Sequence, residues 1–493
     1  MSSEPKTVKP TGVLKALQRK WATLDRSERD SLYSREFGPV FAPMFANLPL
    51  HGAPDGFERP RALVSVLGLS WQPVALMAAW CRPERMLVVG TDLSLDAKVD
   101  GEGVLSVVSR VSGVERDRIR ATAAGDPGEE DIYEAVRDFL QTSGIPARSV
   151  CVDPTGGKKS MAASAALAGF LAGAPLVYVD YSRYDAVSRI PVPGSEYPRL
   201  LRNPLEVLGD IERIGIFSAF NRSDFVEAGN LAARLAERLY EQREAQCLKL
   251  LADGYAAWDR FDFEEARGHL VQALDCMKRF AEQGRWNWAP SVLPVVDLNL
   301  RALAALSAMR GSEKPARIED GVPLLVWYIA AARRVLDAGK TSLAVLLTYA
   351  TVERAVDLCL WVKYGLDDEA PDYRKLGGLL DRGEYDRNGK ALYRESYRSR
   401  ELEGPLMYGN AVQLLATLSP DLLPPRDLGV LKGLAEVRNR CEYEHGFLPS
   451  VPKRLPAGNF LGKATELVAR LCGSPGLLDS MLKMYRFPSI PTA

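Results

Sequence analysis

The sequence predicts a Rossmann-like parallel α/β domain followed by an all-α remainder. Three observations carry this. Between residues 60 and 182 short apolar runs alternate with helical stretches, the pattern of a parallel sheet covered by helices on both faces. After residue 200 or so no comparable strand recurs. Beyond it the apolar residues repeat at helical spacing instead, as in Val345, Leu346, Tyr349, Val352, Val356, Cys359 and Leu360.

The elements follow in order. Residues 1–57 read as an amphipathic helical extension that ends in a proline-rich loop around Pro49, Pro54 and Pro60. ALVSVLGLS is the first strand, WQPVALMAAWC a helix and RMLVVGTD the second strand. LSLDAKVDGEGVLSVVSRVSG reads as a helical stretch and RIRATAAGD as the third strand. EEDIYEAVRDFLQTSG is a helix with acids in its first turn and Gly144 past its end. ARSVCVD is the fourth strand, then a small-residue helix, then the strand APLVYVDYS. Met161 to Val179 carries no charge over 19 residues, yet Gly169, Gly173 and Pro175 break it, so a helix, a turn and a strand fit better than a membrane span.

Residues 208–251, 255–280 and 322–365 are strongly helical. Gly254 to Ala266 resembles one unit of a helical hairpin repeat, but no second copy follows, which argues against a solenoid. Residues 366–405 read as a charged loop, 426–446 as a helix, 449–456 as a break and 459–486 as a last helix. The expected division is a helical extension (1–57), a sheet domain (58–200), a helical linker (201–320) and a C-terminal helical domain (321–493).

Composition narrows the function. The chain has 493 residues, 63 basic and 63 acidic, so its formal net charge is zero. The hydrophobic fraction of 47% and the charged fraction of 26% exclude a disordered chain, a collagen and a coiled-coil rod. Zero net charge argues against non-specific coating of nucleic acid, DNA included. The seven cysteines form no C-x-x-C pair and there are three histidines, His51, His269 and His445, which argues against a structural zinc. The N-terminus lacks an apolar signal core, and the expected location is the cytoplasm, off the membrane.

Ligands of an open parallel sheet bind outside the carboxyl ends of its strands. Those ends carry Gly68-Leu-Ser-Trp-Gln-Pro73 after the first strand, Gly90-Thr91-Asp92 after the second and Asp153-Pro-Thr-Gly-Gly-Lys-Lys-Ser160 after the fourth. Glycines admit a ligand close to the backbone, and a helix N-terminus beside Lys158, Lys159 and the Thr155 hydroxyl attracts anions. Neither G-x-x-x-x-G-K-[ST] nor G-x-G-x-x-G is present, which argues against a P-loop ATPase and a dinucleotide oxidoreductase. An ordinary strand-to-helix turn is the alternative reading.

DPTGGKKSM at the fourth strand, with GLSWQP after the first, resembles the CARF sensor domain, the CRISPR-associated Rossmann fold. The resemblance implies binding of a cyclic oligoadenylate. It implies that Ser70, Trp71, Gln72, Thr91 and Asp92 face this ligand and that Thr155, Gly156, Gly157 and Lys158 hold its phosphates and ribose, next to Asp153.

A second candidate lies in LKGLAEVRNRCEYEHGF. On a continuous helix Arg438, Cys441, Glu442 and His445 share a face, with Arg440 well off that line. A salt-bridged surface helix, with Arg438 and Glu442 as an i,i+4 pair, is the alternative reading. The pattern Arg438-Asn439, five residues, His445, Gly446 resembles the R-x4–6-H signature of HEPN domains; Arg440 to His445 also fits the spacing. Together the two motifs resemble the CARF–HEPN ribonucleases of type III CRISPR systems, in the long subfamily with an N-terminal helical extension and a helical insert. This implies a homodimeric endoribonuclease acting on single-stranded RNA. It would be switched on by cyclic oligoadenylate, work without cofactor or metal, and leave 2′,3′-cyclic phosphate and 5′-OH ends. Arg438, His445, Asn439 and Arg440 are then the candidate catalytic residues. Two rivals are a sensor with an inactive HEPN half, and one that also cleaves its own activator through Ser70, Thr155 or Lys158.

Overall fold

The computed structural model describes residues 4–125, 128–185, 190–239, 241–309, 314–399, 401–443 and 450–491. The chain divides into two compact units, Met1–Leu208 and Gly209–Ala493.

The first unit opens with α1 (Gly12–Ala22), α2 (Arg26–Leu32), a π-helical turn (Tyr33–Phe37) and α3 (Gly38–Phe45). Thr11 caps α1, and Asp25 and Glu28 form a reciprocal capping box on α2. There follow β1 (Ala62–Leu67), α4 (Gln72–Cys81), β2 (Arg85–Gly90), α5 (Asp92–Leu95), β3 (Lys98–Val99), β4 (Glu102–Gly103) and α6 (Val104–Ser112). Next come β5 (Ile119–Ala123), α7 (Glu129–Thr142), β6 (Val150–Asp153), α8 (Lys159–Leu171), β7 (Leu176–Tyr181), β8 (Tyr184–Asp185), β9 (Ile190–Pro191), β10 (Glu196–Leu201) and α9 (Pro204–Leu208).

Six strands form one sheet in the order β10-β7-β6-β1-β2-β5. All pair in parallel except β10, which runs antiparallel to β7. The parallel strands therefore stand in the Rossmann order, reversing direction of progress between β1 and β6. β1 is buried throughout. Its Leu63 and Leu67 join the core under the N-terminal extension, α4 and α6, while Ala62, Val64 and Val66 join the core under α7 and α8. A strand covered on both faces needs such an apolar run. The extension contributes Phe37, Phe41 and Phe45, fully buried, with ring centroids 5.6 and 6.0 Å apart along the series.

Two readings of this unit need correction. The stretch after β2 is not one helix: α5 ends at Leu95 and the β3–β4 hairpin turns at Asp100-Gly101, both at positive φ, before α6 starts. The strand β10 was not expected. It contains Pro198 and lies at the sheet edge, where proline is tolerated.

The second unit is all-α among its described residues. Its helices are α10 (Asp210–Asn221), α11 (Phe225–Arg238), α12 (Arg243–Asp259), α13 (Phe263–Ala281), α14 (Ala289–Ser307), α15 (Ile318–Asp337) and α16 (Thr341–Tyr364). They continue with α17 (Arg382–Tyr393), α18 (Tyr408–Leu418), α19 (Leu428–Arg440), α20 (Arg454–Leu471) and α21 (Pro475–Met484). One apolar core runs from Ile216 to Ile490. The C-terminal segment closes it: the Phe487 ring lies 4.5 Å from Tyr255 and 5.2 Å from Trp258. Asn299, fully buried, donates to the carbonyls of Met484 and Arg486 and accepts from the Tyr255 hydroxyl. α14 has the length and apolarity of a membrane-crossing helix, but its Val292, Val296, Leu303 and Leu306 belong to this core.

Here too the sequence reading is corrected. Residues 366–405 contain α17, capped by Asp381, and the helix α18 follows. The last helix is two, because Gly473 at φ +83° and Pro475 break it. The stripe around Tyr349 is core, as its helical spacing suggests: Val345, Val352, Val356, Cys359 and Leu360 are all at most 1% exposed. Most consequentially, the helix expected over 426–446 stops at Arg440.

Candidate functional site

Two loops meet where the sheet reverses, at the carboxyl ends of β1 and β6. A Cβ on Gly68 would lie 2.6 Å from the backbone nitrogen of Gly157. A Cβ on Gly156 would lie 2.1 Å from the Val66 carbonyl oxygen, and Gly157 sits at φ +80°. No side chain fits at these three positions without moving the backbone.

Asp153 ties the loop down. It is fully buried and accepts from the Ser65 hydroxyl, from the Thr155 backbone N–H at 3.0 Å and from the Thr155 hydroxyl at 2.5 Å. The Thr155 hydroxyl in turn accepts from the Val179 N–H at 2.9 Å, so it links β6 to β7. Burial pushes the Asp153 carboxyl up to about 6, against the pull of those three donors.

Around this contact lies a cleft of about 400 Å³, lined among others by Ser70, Thr91, Thr155, Gly156, Gly157 and Lys158. The N-terminus of α8 opens beside it, with Lys158 as the residue before the first helical turn. Leu69 and Leu93 are 70% and 76% exposed, and both line the cleft. Six of the ten sequence-selected ligand residues therefore come together. The other four do not. Trp71 is 2% exposed and packs edge-on to Tyr33 at 5.7 Å, so it faces the core and not the cleft. Asp92 is exposed at the start of α5, outside the cleft lining. Gln72 bonds Asp30 of the extension at 2.7 Å and lines a neighbouring cavity. Asp153 lies beneath the cleft as an anchor. That neighbouring cavity, with Tyr33 and Glu196 in its wall, was missed, because only the fold brings the extension onto the sheet.

At the second candidate, Arg438 sits in the last turn of α19. Its guanidinium lies over the Tyr349 ring of α16, 4.9 Å from the centroid, and donates to Asn439 Oδ1 at 3.0 Å. Tyr349 stacks on Tyr408 at 4.4 Å, and the Tyr408 hydroxyl donates to the Leu431 carbonyl of α19 at 3.3 Å. Burial and the neighbouring Glu353 push the Tyr349 hydroxyl well above its ordinary range. Asn439 and Arg440 are exposed.

α19 ends at Arg440 and Cys441 is extended, at φ −70° and ψ 164°. Cys441 and Glu442 therefore do not continue the α19 face that carries Arg438, contrary to the expectation of one helix over 426–446. Glu442 accepts from the Ser342 hydroxyl at 2.5 Å. His445, with Glu444 and Gly446, lies outside the described residues. The Ser450 N–H donates to the Arg440 carbonyl at 3.1 Å.

The comparisons with known proteins are partial in sequence. Residues 208–288 match the family model of the Csm6 6H domain. A stretch of 147 residues is 33% identical to the CRISPR system endoribonuclease Csm6 of Thermus thermophilus. Over these stretches the chain is similar to Csm6. The aligned stretch is 29% of this chain and 31% of the Thermus protein, so under a third of either is matched. Among solved structures, Enterococcus italicus Csm6 bound to cyclic hexa-2′-fluoro-hexa-dAMP aligns over 86% of this chain and 98% of its own, at 10% identity and a TM-score of 0.41.

The raised carboxyl of Asp153 has a measurable consequence. Its folded value of about 6 lies above the ordinary value of about 3.9. Between these the folded state holds a proton that the unfolded chain has lost. The stabilisation is full below about pH 4 and disappears as pH rises through about 6, a change of about 3 kcal/mol. Urea unfolding of wild type and Asp153→Asn from pH 4 to 8 checks this. The wild type should lose stability relative to the variant between pH 4 and 6 and run parallel to it above. A difference that does not change with pH contradicts the assignment.

Proposed function

We propose that this Csm6-like chain is an RNA endonuclease switched on by a cyclic oligoadenylate. The observation that carries the reading is the glycine-tight cleft at the sheet reversal, with Lys158 and a helix N-terminus on it, in a chain whose next segment matches a Csm6 domain. The extension 1–57 and the sheet domain 58–200 sense the ligand, the linker 201–320 transmits, and 321–493 cuts. Ser70, Thr91, Thr155, Gly156, Gly157 and Lys158 receive the ring, its phosphates against the α8 N-terminus.

The cutting chemistry follows from the substrate. Single-stranded RNA carries its own nucleophile, the 2′-OH. Its attack on the adjacent phosphorus forms the new P–O bond and expels the 5′-oxygen, leaving a 2′,3′-cyclic phosphate and a 5′-OH. His445 exchanges the protons, as an imidazole does near neutral pH. Arg438 stabilises charge on the phosphorane, with its guanidinium held by the Tyr349 ring. Asn439 and Arg440 flank it toward the RNA. No metal takes part in this scheme. One arginine and one histidine are a thin set, so a second copy of the chain supplies a second pair in a homodimer. The protein acts in the cytoplasm, where both RNA and activator are found.

Replacing either member of the pair should be severe. His445→Ala and Arg438→Ala should each lower RNA cleavage at least about 100-fold, with activator binding retained and activity persisting in excess EDTA. Arg440→Ala should cost less. Loss of activity with Arg440→Ala but not with Arg438→Ala would reverse the assignment of the arginines.

Lys158→Glu tests the sensor. It places a carboxylate where phosphates are to sit, so activation should vanish while the circular dichroism spectrum and basal cleavage at high enzyme concentration persist. Activator affinity unchanged in calorimetry would remove Lys158 from the site.

A further inference from the structure

The second unit carries a cavity of about 620 Å³ on the α12–α13 hairpin. Its charged lining is Arg243 of α12 with Asp275 and Arg279 of α13, and Cys276 of α13 opens into it. Cys276 is half-buried, whereas Cys247 of α12 is fully buried. Neither thiol has a part in the chemistry proposed above.

The hairpin brings the two sulfurs together. α12 and α13 are joined by the short turn at 260–262, and Cys247 and Cys276 stand at nearly equal distances on either side of it. The helices pack closely: a Cβ on Gly254 would lie 2.6 Å from the Leu270 side chain and 3.4 Å from the Ala266 carbonyl oxygen. The Cys247 sulfur lies 3.7 Å from the Ala273 carbonyl oxygen, on the turn of α13 that ends at Cys276. Its proton also reaches the Cys276 sulfur. That hydrogen bond, with positive charge from Arg279 and Arg243, holds the Cys276 thiol below its ordinary value against the opposing effect of burial. The same bond and burial push the Cys247 thiol up. One sulfur is thus a nucleophile facing a cavity, and the other is a protonated thiol held directly behind it. Burial instead raises the thiols of Cys81, Cys151, Cys359 and Cys472.

We propose that Cys276 and Cys247 are a peroxide-responsive pair that closes to a disulfide across the α12–α13 hairpin. The Cys276 thiolate attacks one oxygen of hydrogen peroxide. The S–O bond forms, the O–O bond breaks, and the departing hydroxide takes a proton from solvent to leave as water. The sulfur is oxidised to a sulfenic acid and the peroxide is reduced. The Cys247 sulfur then attacks the Cys276 sulfur. The S–S bond forms, the S–O bond breaks, and the hydroxide leaves with the Cys247 proton as a second water. Two thiols and one peroxide thus give one disulfide and two waters. Arg243 and Arg279 stabilise the thiolate, and the cavity admits the peroxide. In a reducing compartment such a bond is transient and reports on oxidant. The pair is independent of the nuclease reading. It gives the hairpin within the segment that matches the Csm6 6H domain a covalent state set by oxidant.

The test is oxidation of the folded full chain by hydrogen peroxide, then tryptic digestion without reductant and mass spectrometry. The peptides 244–249 and 268–278, which hold Cys247 and Cys276, should appear joined and should separate on reduction. In Cys247→Ala the joined species should give way to a Cys276 sulfenic acid captured by dimedone. In the reduced wild type, iodoacetamide should label Cys276 about tenfold faster than Cys472, the other half-buried thiol, which burial keeps protonated. These two wild-type measurements decide the matter even if the variant fails to fold. A merely structural pair would yield no joined peptides and would label no faster than Cys472, and that result overturns the proposal. Joined peptides spread over the other five cysteines would mark oxidation of unfolded chains and overturn it as well.

Discussion

The backbone of the β1–α4 loop touches the backbone of the β6–α8 loop, and the candidate sensor depends on that contact. Gly68 meets Gly157, and Gly156 meets Val66, at distances that admit no Cβ. The buried carboxyl of Asp153 holds the contact by drawing Ser65 of β1 and Thr155 of the loop onto itself. Thr155 extends the tie to β7. Three strands are thus locked at the sheet reversal, and the cleft above them has a fixed floor. A floor made of backbone lets a ligand lie close to amide groups, and rigidity spares the ordering cost that a loose loop would incur on binding.

Much of this was legible in the sequence. The apolar run of β1 predicts burial on both faces, and the glycines of DPTGGKKSM mark where the backbone must come close. Those signals are local: they depend on residues adjacent in the chain and on the period of burial. What was not legible depends on distant residues. Trp71 lies inside a motif that points to the ligand, yet it turns inward because Tyr33, 38 positions earlier in the chain, packs against it. Glu196 was not singled out, since β10 is an edge strand interrupted by proline. Only with the extension laid on the sheet do Tyr33 and Glu196 share a cavity.

The helical unit teaches the converse. The spacing of Arg438 and His445 was read as a face of one helix, but α19 stops between them, at Arg440. What fixes the arginine is tertiary: the Tyr349 ring beneath it, and Tyr408 stacked on that ring and tied back to α19. A cation on an aromatic face is held in place by the ring, and the role given to Arg438 is to meet phosphate oxygens. Such a platform leaves no signature in spacing, because Tyr349, Tyr408 and Arg438 come from three separate helices.

The central claim is that one chain couples a cyclic oligoadenylate at the sheet reversal to RNA cleavage at the end of α19. The most direct measurement is cleavage of a labelled single-stranded RNA by the purified chain, with cyclic tri-, tetra- and hexa-adenylate and a linear oligoadenylate in parallel. The account predicts that one cyclic ring size accelerates cleavage strongly and that the linear oligomer fails to match it at equal concentration. Cleavage at the same rate with and without every ring would contradict it.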